Sequence, residues 1–147
     1  MQEVKIYIET SIQGPCVKDG WYAVIMEYET KKGPAQIGFV DMEESTTYHR
    51  STLLAAVKAL QRLKPCKVTI YTNSSFVANM TRQKKPEAWQ RCEWKNSKGK
   101  DVEHRDLWQQ YIDEEKRHHK IEFRLSKYND YRQKLQEMIR KGASGNG

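Results

Sequence analysis

The feature that most constrains this chain is one amphipathic helix held between two extended segments. Thr46 or Thr47 can cap a helix in which Leu53, Leu54, Val57, Leu60 and Leu63 recur at helical spacing until Lys64-Pro65 stops it. Before it, Val4-Lys5-Ile6-Tyr7-Ile8-Glu9 alternates apolar and polar residues and runs into Thr10-Ser11 and Gly14-Pro15, so it reads as a strand with Glu9 at its carboxyl end. After it, Lys67-Val68-Thr69-Ile70-Tyr71 is a short β-branched strand, which the helix can lay parallel to the first. A strand, a crossover helix and a parallel strand commit the chain to an α/β sheet.

The remaining segments add to that sheet. Residues 21 to 29 form a second strand, Lys32-Gly33-Pro34 a turn, and residues 36 to 40 a third strand that pairs back as a meander. Beyond Tyr71 come a weak helix around Ser75 to Met80, a Lys- and Trp-rich stretch from Lys84 to Lys100, and a helix from about Val102 to His118. A fifth strand over 121 to 125 and a helix over 130 to 141 follow, with 142 to 147 expected as a disordered tail. There is no internal repeat. At 147 residues the chain holds one core, so the expectation is a single domain over 1 to 141, a mixed five-stranded sheet flanked by helices.

Lys and Arg number 26 against 19 Asp and Glu, a net charge of +7 that favours polyanions such as nucleic acid or an anionic membrane surface. The apolar runs fall far short of the roughly 18 residues that span a bilayer, and the Met-Gln-Glu-Val start lacks a basic flank and an apolar signal region. We therefore expect a soluble, cytoplasmic monomer with no membrane partner. Cys16, Cys66 and Cys92 are widely spaced and odd in number, which suits reduced thiols and no metal role.

Over residues 4 to 141 the order of elements and five local segments resemble bacterial type 1 ribonuclease H. That family opens with a strand ending in Asp-Gly-Ser and a Gly-rich loop; here stand Glu9-Thr10-Ser11, Gly14-Pro15 and Gly20. Trp21-Tyr22-Ala23-Val24-Ile25 resembles its second strand, and Thr47-Tyr48-His49-Arg50-Ser51-Thr52-Leu53-Leu54-Ala55-Ala56 resembles its Thr-Asn-Asn-Arg-Met-Glu-Leu-Met-Ala-Ala helix entry. Thr72-Asn73-Ser74 stands for its Thr-Asp-Ser, and Trp89 to Lys100 followed by Asp106-Leu107-Trp108-Gln109 for its basic handle and Asp-Leu-Trp-Gln.

The resemblance implies a two-Mg²⁺ phosphodiesterase, in which one metal generates the attacking hydroxide and the other stabilises the leaving oxygen. It also puts that chemistry in doubt. The family's Asp-Glu-Asp-Asp set falls on Glu9, Thr52, Asn73 and Gln136, so one carboxylate of four survives, and Mg²⁺ requires hard anionic oxygens. Gln136 is preferred over Asp130 or Glu137 because Leu135, Met138 and Ile139 then face the core; shifting by one would bury Arg140. The family's flexible-loop histidine falls on or near Asn129. Two readings stay open: a vestigial site without cofactor, or a rearranged one in which Mg²⁺ or Mn²⁺ is held by Glu9 with Asp130, Glu137 or the Glu43-Glu44 pair. Each residue also has a plain role available, Glu9 as a strand end, Thr52 bonding its own helix and Asn73 forming a turn.

Binding to an RNA–DNA hybrid or other duplex, which the resemblance implies, needs no metal. Lys84, Lys85, Arg91, Lys95, Lys98 and Lys100 stand against Glu87 and Glu93, six cations against two carboxylates, with Trp89 and Trp94 interleaved. The lysines and arginine can hold phosphates, and the indoles can either pack on sugars or brace the handle from within. Tyr48, His49 and Arg50 fall where the family touches the nucleic-acid strands, and Ser11, Gln13 and Ser74 can add polar contacts. Trp21 and Trp108 read as core, and His118 and His119 as complements to a helix dipole. The expectation is a hybrid- or duplex-binding relative with lost or impaired cleavage; an active divergent hybrid ribonuclease and a protein-interaction module on the same scaffold are the alternatives.

Overall fold

A computed structural model describes residues 2 to 145 and places five strands in one sheet. In chain order they are β1 (Glu3–Thr10), β2 (Lys18–Thr30), β3 (Gly33–Thr46), β4 (Lys67–Thr72) and β5 (Lys120–Leu125), lying side by side as β3-β2-β1-β4-β5. Strands β1, β4 and β5 run parallel, while β2 and β3 form an antiparallel meander on the other edge. The helices are α1 (Tyr48–Gln61), α2 (Ser75–Arg82), α3 (Lys85–Arg91), α4 (Arg105–Arg117) and α5 (Arg132–Ala143). No helix among the described residues is long and apolar enough to cross a membrane.

The crossover helix forms where its cap and apolar spacing place it. Thr47 caps α1 by accepting from the Arg50 amide, and the helix lays Leu53, Ala55, Ala56, Val57, Ala59 and Leu60 on the sheet. Three alanines among those six let helix and sheet approach closely. The main core joins this face to Ile6, Ile8, Val24, Val68 and Ile70 and extends outward through Leu107, Trp108, Tyr111 and Ile112 of α4. On the opposite face α5 buries Leu135 and Ile139 against Tyr7, Ala23 and Ile25, leaving Arg140 exposed.

The structure corrects several boundaries. Strand β3 begins at Gly33 and continues to Thr46, because β2 pairs with it from Thr30↔Gly33 to Lys18↔Thr46; the turn is Lys31-Lys32, and Pro34 sits harmlessly on an edge strand. Helix α4 starts at Arg105, after His104 takes a left-handed backbone at φ 60°. Helix α5 continues through Gly142 and Ala143 into the span expected as a tail; a Cβ at Gly142 would meet the Trp21 ring at 3.1 Å, so glycine permits this packing. The expected tail's last residues, 146 and 147, lie outside the described residues. His118 is buried: its Nδ1 accepts from the Cys66 amide at 3.3 Å and its Nε2 lies 3.1 Å from the Leu60 carbonyl, so it ties the end of α4 to the end of α1.

One half-buried acidic pair, Glu87 and Glu115, gives the fold a pH dependence. Burial, and then the neighbouring Glu87, push the Glu115 carboxyl up to about 7. Glu87 has both oxygens out of solvent without a hydrogen-bond donor. A carboxyl whose folded pKa is raised stabilises the fold fully below its unfolded value, near 4.5, and loses that contribution as pH rises through about 7. Glu115→Gln should therefore leave the melting temperature at pH 4.5 nearly unchanged and raise it at pH 8. After discounting for solvent screening, about 1 kcal/mol, or roughly 3 °C, is expected in thermal denaturation.

Candidate functional site

The carboxyl ends of β1 and β4 and the first turn of α1 converge on one side of the sheet, and α5 closes over Glu9. Glu9, one residue before the end of β1, is only 4% exposed. Burial raises its carboxyl above the usual range, and the Arg132 guanidinium, Nε 3.6 Å from Glu9 Oε1, pulls it back down. Thr52 is buried and donates its hydroxyl to the Tyr48 carbonyl at 3.0 Å, one turn back on α1. Asn73 follows β4 and accepts from the Tyr48 hydroxyl. Burial, with Glu9 adding to it, pushes that hydroxyl up to about 12, so it remains a donor. Gln136 is half-buried on α5, one turn after Arg132 and on the same helix face.

Glu9, Asn73 and Thr52 are thus brought together around Tyr48. As a metal site the set is poor. Asn73 and Thr52 offer only neutral oxygens, that of Asn73 already accepting from the Tyr48 hydroxyl, and the one carboxylate, Glu9, faces a cation. The other carboxylates do not converge. Glu137 is exposed and pairs with Arg140, Glu43 pairs with Arg50 at 3.2 Å, and Asp130 lies near the Tyr7 and Tyr131 hydroxyls. Among the described residues no cluster of three or more His, Cys, Asp or Glu could hold a metal. The residues present do not fit a two-Mg²⁺ centre.

Beside this centre, Gln13, Gly14, Pro15, Thr47, Tyr48, His49, Glu103 and His104 line an open groove of about 530 Å³. Gly20 allows its wall to form: a Cβ there would fall 2.7 Å from both Ile12 and Thr46 side chains, so only glycine lets Ile12 tuck under the loop. Ser11 accepts from the Trp21 amide at 2.9 Å, and Gln13 donates to the Thr10 carbonyl at 2.8 Å, so both shape this loop. The His49 ring lies between Tyr48 and Phe76, its Nδ1 3.0 Å from Ser74 Oγ, and burial lowers its pKa.

Arg50, expected among the strand-contacting residues, has all three of its guanidinium nitrogens bonded to protein carboxylates. Its Nε meets Glu43 and its two terminal nitrogens meet Asp106 at 2.9 and 2.7 Å, which straps β3 to α4. In the handle, Lys84, Lys85, Arg91, Lys98 and Lys100 are exposed and make no ion pair among the described residues, whereas Lys95 is held by Asp101 at 2.6 Å. Trp94 is 5% exposed, and Trp89 packs edge-on against Trp108 with centroids 5.7 Å apart. Both indoles brace the handle from within. Trp94 is therefore placed to support the lysines and not to touch sugars.

Arg132 and the central position of Tyr48 were not legible from the family pattern. Spacing offered one signal for Arg132, since it stands four residues before Gln136 on an amphipathic helix.

The RNase H family model matches residues 1–127. The chain belongs to the ribonuclease H family. A ribonuclease H of Symbiobacterium thermophilum is 38% identical over 124 residues, covering 84% of this chain and 80% of its own. The crystal structure of a type 1 RNase H with the type 2 active-site motif superposes with TM-score 0.77 at 18% identity, over 100% of this chain and 74% of that one. An RNase H crystallised with an RNA/DNA hybrid superposes with TM-score 0.63 at 15% identity, over 95% of this chain and 99% of that one. The sheet and crossover of these structures are thus retained in this chain.

Proposed function

We propose that this ribonuclease H family member is a cytoplasmic, monomeric single-domain protein that binds RNA–DNA hybrid or a related duplex through the phosphate backbone and has lost, or nearly lost, metal-dependent cleavage. The observation that carries this reading is the centre itself: one carboxylate, Glu9, paired with Arg132, where metals would need several anionic oxygens. Five exposed handle cations that make no ion pair among the described residues and the net charge of +7 supply what phosphate binding needs. The relative crystallised with an RNA/DNA hybrid supports the same class of ligand.

The test is an end-labelled RNA–DNA hybrid incubated with the protein in Mg²⁺, Mn²⁺ or EDTA and followed for cleavage and for retention on a native gel. Retention without cleavage is expected, and it should depend steeply on salt. With about four phosphates contacted, affinity should fall roughly a hundredfold between about 50 and 200 mM salt. Cleavage lost in Glu9→Gln would establish an active rearranged site. Absence of both cleavage and retention would favour a protein-interaction scaffold.

A further inference from the structure

We propose that Arg132, Lys127 and Tyr128 form a phosphodiester-binding site at the mouth of the family's metal centre, so that side-chain cations hold the backbone phosphate there. The inference rests on the nucleic-acid-binding reading and specifies how the altered centre takes part in it.

A metal in such a centre is a cation placed between protein carboxylate and substrate phosphate, and Arg132 reproduces that order of charges. Its Nε faces buried Glu9 at 3.6 Å while its side chain remains 44% exposed. Its two terminal nitrogens meet no protein acceptor among the described residues. A guanidinium with an open, planar pair of donors matches two oxygens of one phosphate. The Arg132 guanidinium also lies 4.8 Å from the Tyr128 ring centroid, and Lys127 Nζ lies 5.5 Å from the same centroid.

Tyr128 is 66% exposed, an aromatic ring with two cations held over it and the rest of its surface open to solvent. Lys127 also borders a groove of about 270 Å³ with Asn73, Ser75 and Leu125, so the cations reach from Glu9 to the end of β4. Their loop is anchored at both ends. The Ser126 amide donates to the Thr72 carbonyl at 2.8 Å, and the Asn129 side chain accepts from the Tyr131 amide at 2.8 Å. Tyr131 packs edge-on against Tyr7 and donates its hydroxyl to Glu27. A fixed loop presenting two cations over an exposed ring suits a nucleotide, with its phosphate on the cations and its sugar against the exposed part of the ring.

The test is fluorescence anisotropy of a labelled RNA–DNA hybrid against the full chain, in EDTA and in Mg²⁺ at matched ionic strength, with a salt series for each variant. Arg132→Gln and Lys127→Ala should each weaken binding about fivefold to tenfold and lower the salt slope by about one. Tyr128→Ala should weaken binding with little change in slope, since its loss removes the ring that positions both cations and no charge. Glu9→Gln should tighten binding a few fold, equally in EDTA and Mg²⁺, because it removes the anion that competes for Arg132. Tightening cannot arise from a misfolded variant.

Wild-type affinity and slope in the Arg132→Gln/Lys127→Ala double variant, with Lys98→Ala/Lys100→Ala still weakened, would overturn this inference and leave nucleic-acid binding intact. Weaker binding by Glu9→Gln, or wild-type binding that Mg²⁺ tightens, would overturn it as well. Wild-type protein that does not bind the hybrid at all would overturn both readings.

Discussion

Hybrid cleavage should rise by about a hundredfold or more over wild type when Glu9→Asp, Thr52→Glu, Asn73→Asp, Gln136→Asp and Arg132→Ala are combined and assayed with Mg²⁺. Each change answers a specific defect. Thr52 and Asn73 offer neutral oxygens already bonded to Tyr48, and Gln136 offers no charge. Glu9 carries one methylene more than the aspartate it replaces, which moves its carboxylate by about 1.5 Å, and an error of that order can itself cost about a hundredfold. Arg132 must go too, because a guanidinium 3.6 Å from Glu9 repels any dication approaching that oxygen. Stability gives a second readout. Four converging carboxylates repel one another until metal separates them, so Mg²⁺ should raise the melting temperature of the combined variant and leave the wild type unmoved. Wild-type cleavage already near that of the variant would show that loss of charge had not removed activity.

That experiment turns on residues that differ in how readable they were. The crossover from β1 to β4 is legible in the sequence because α1 carries local signals at both ends: Thr47 as cap, Pro65 as stop, and leucines at helical spacing between them. Asp41 to Thr46 has no alternating pattern that would mark it as strand; pairing with β2, from Tyr22↔Asp41 to Lys18↔Thr46, holds it extended despite its polarity. Sequence shows only that His118 stands near a helix end, whereas its partners Cys66 and Leu60 lie more than 50 residues away. Arg132 belongs to the same class. Its charge partner is on β1 at the opposite end of the chain, and only the register of α5 against the sheet brings the two together. Local patterns thus recovered the elements, while the chemistry of the centre depends on pairings that only the assembled sheet creates.

The largest loss of stability should come from Trp108→Ala, about 4 kcal/mol or roughly 10 °C in melting temperature. Trp108 is wholly buried and is the bulkiest of the fully enclosed side chains. Its ring meets Trp89 of α3 and Tyr111 of α4 edge-on, with centroids 5.7 and 5.8 Å away, so truncation opens a cavity between the core and the handle. Hybrid affinity should fall with it, because Trp89 braces the helix that carries Lys85 and Arg91. Trp108→Phe separates packing from polarity. The Trp108 indole N–H makes no hydrogen bond within the protein, so replacing it strands no acceptor, and the phenyl ring retains much of the edge contact. That variant should lose less than about 1.5 kcal/mol and keep its near-ultraviolet tryptophan signal from the handle. Equal losses from the two substitutions would mean that the handle is held by contacts of the full indole, which a phenyl ring does not reproduce.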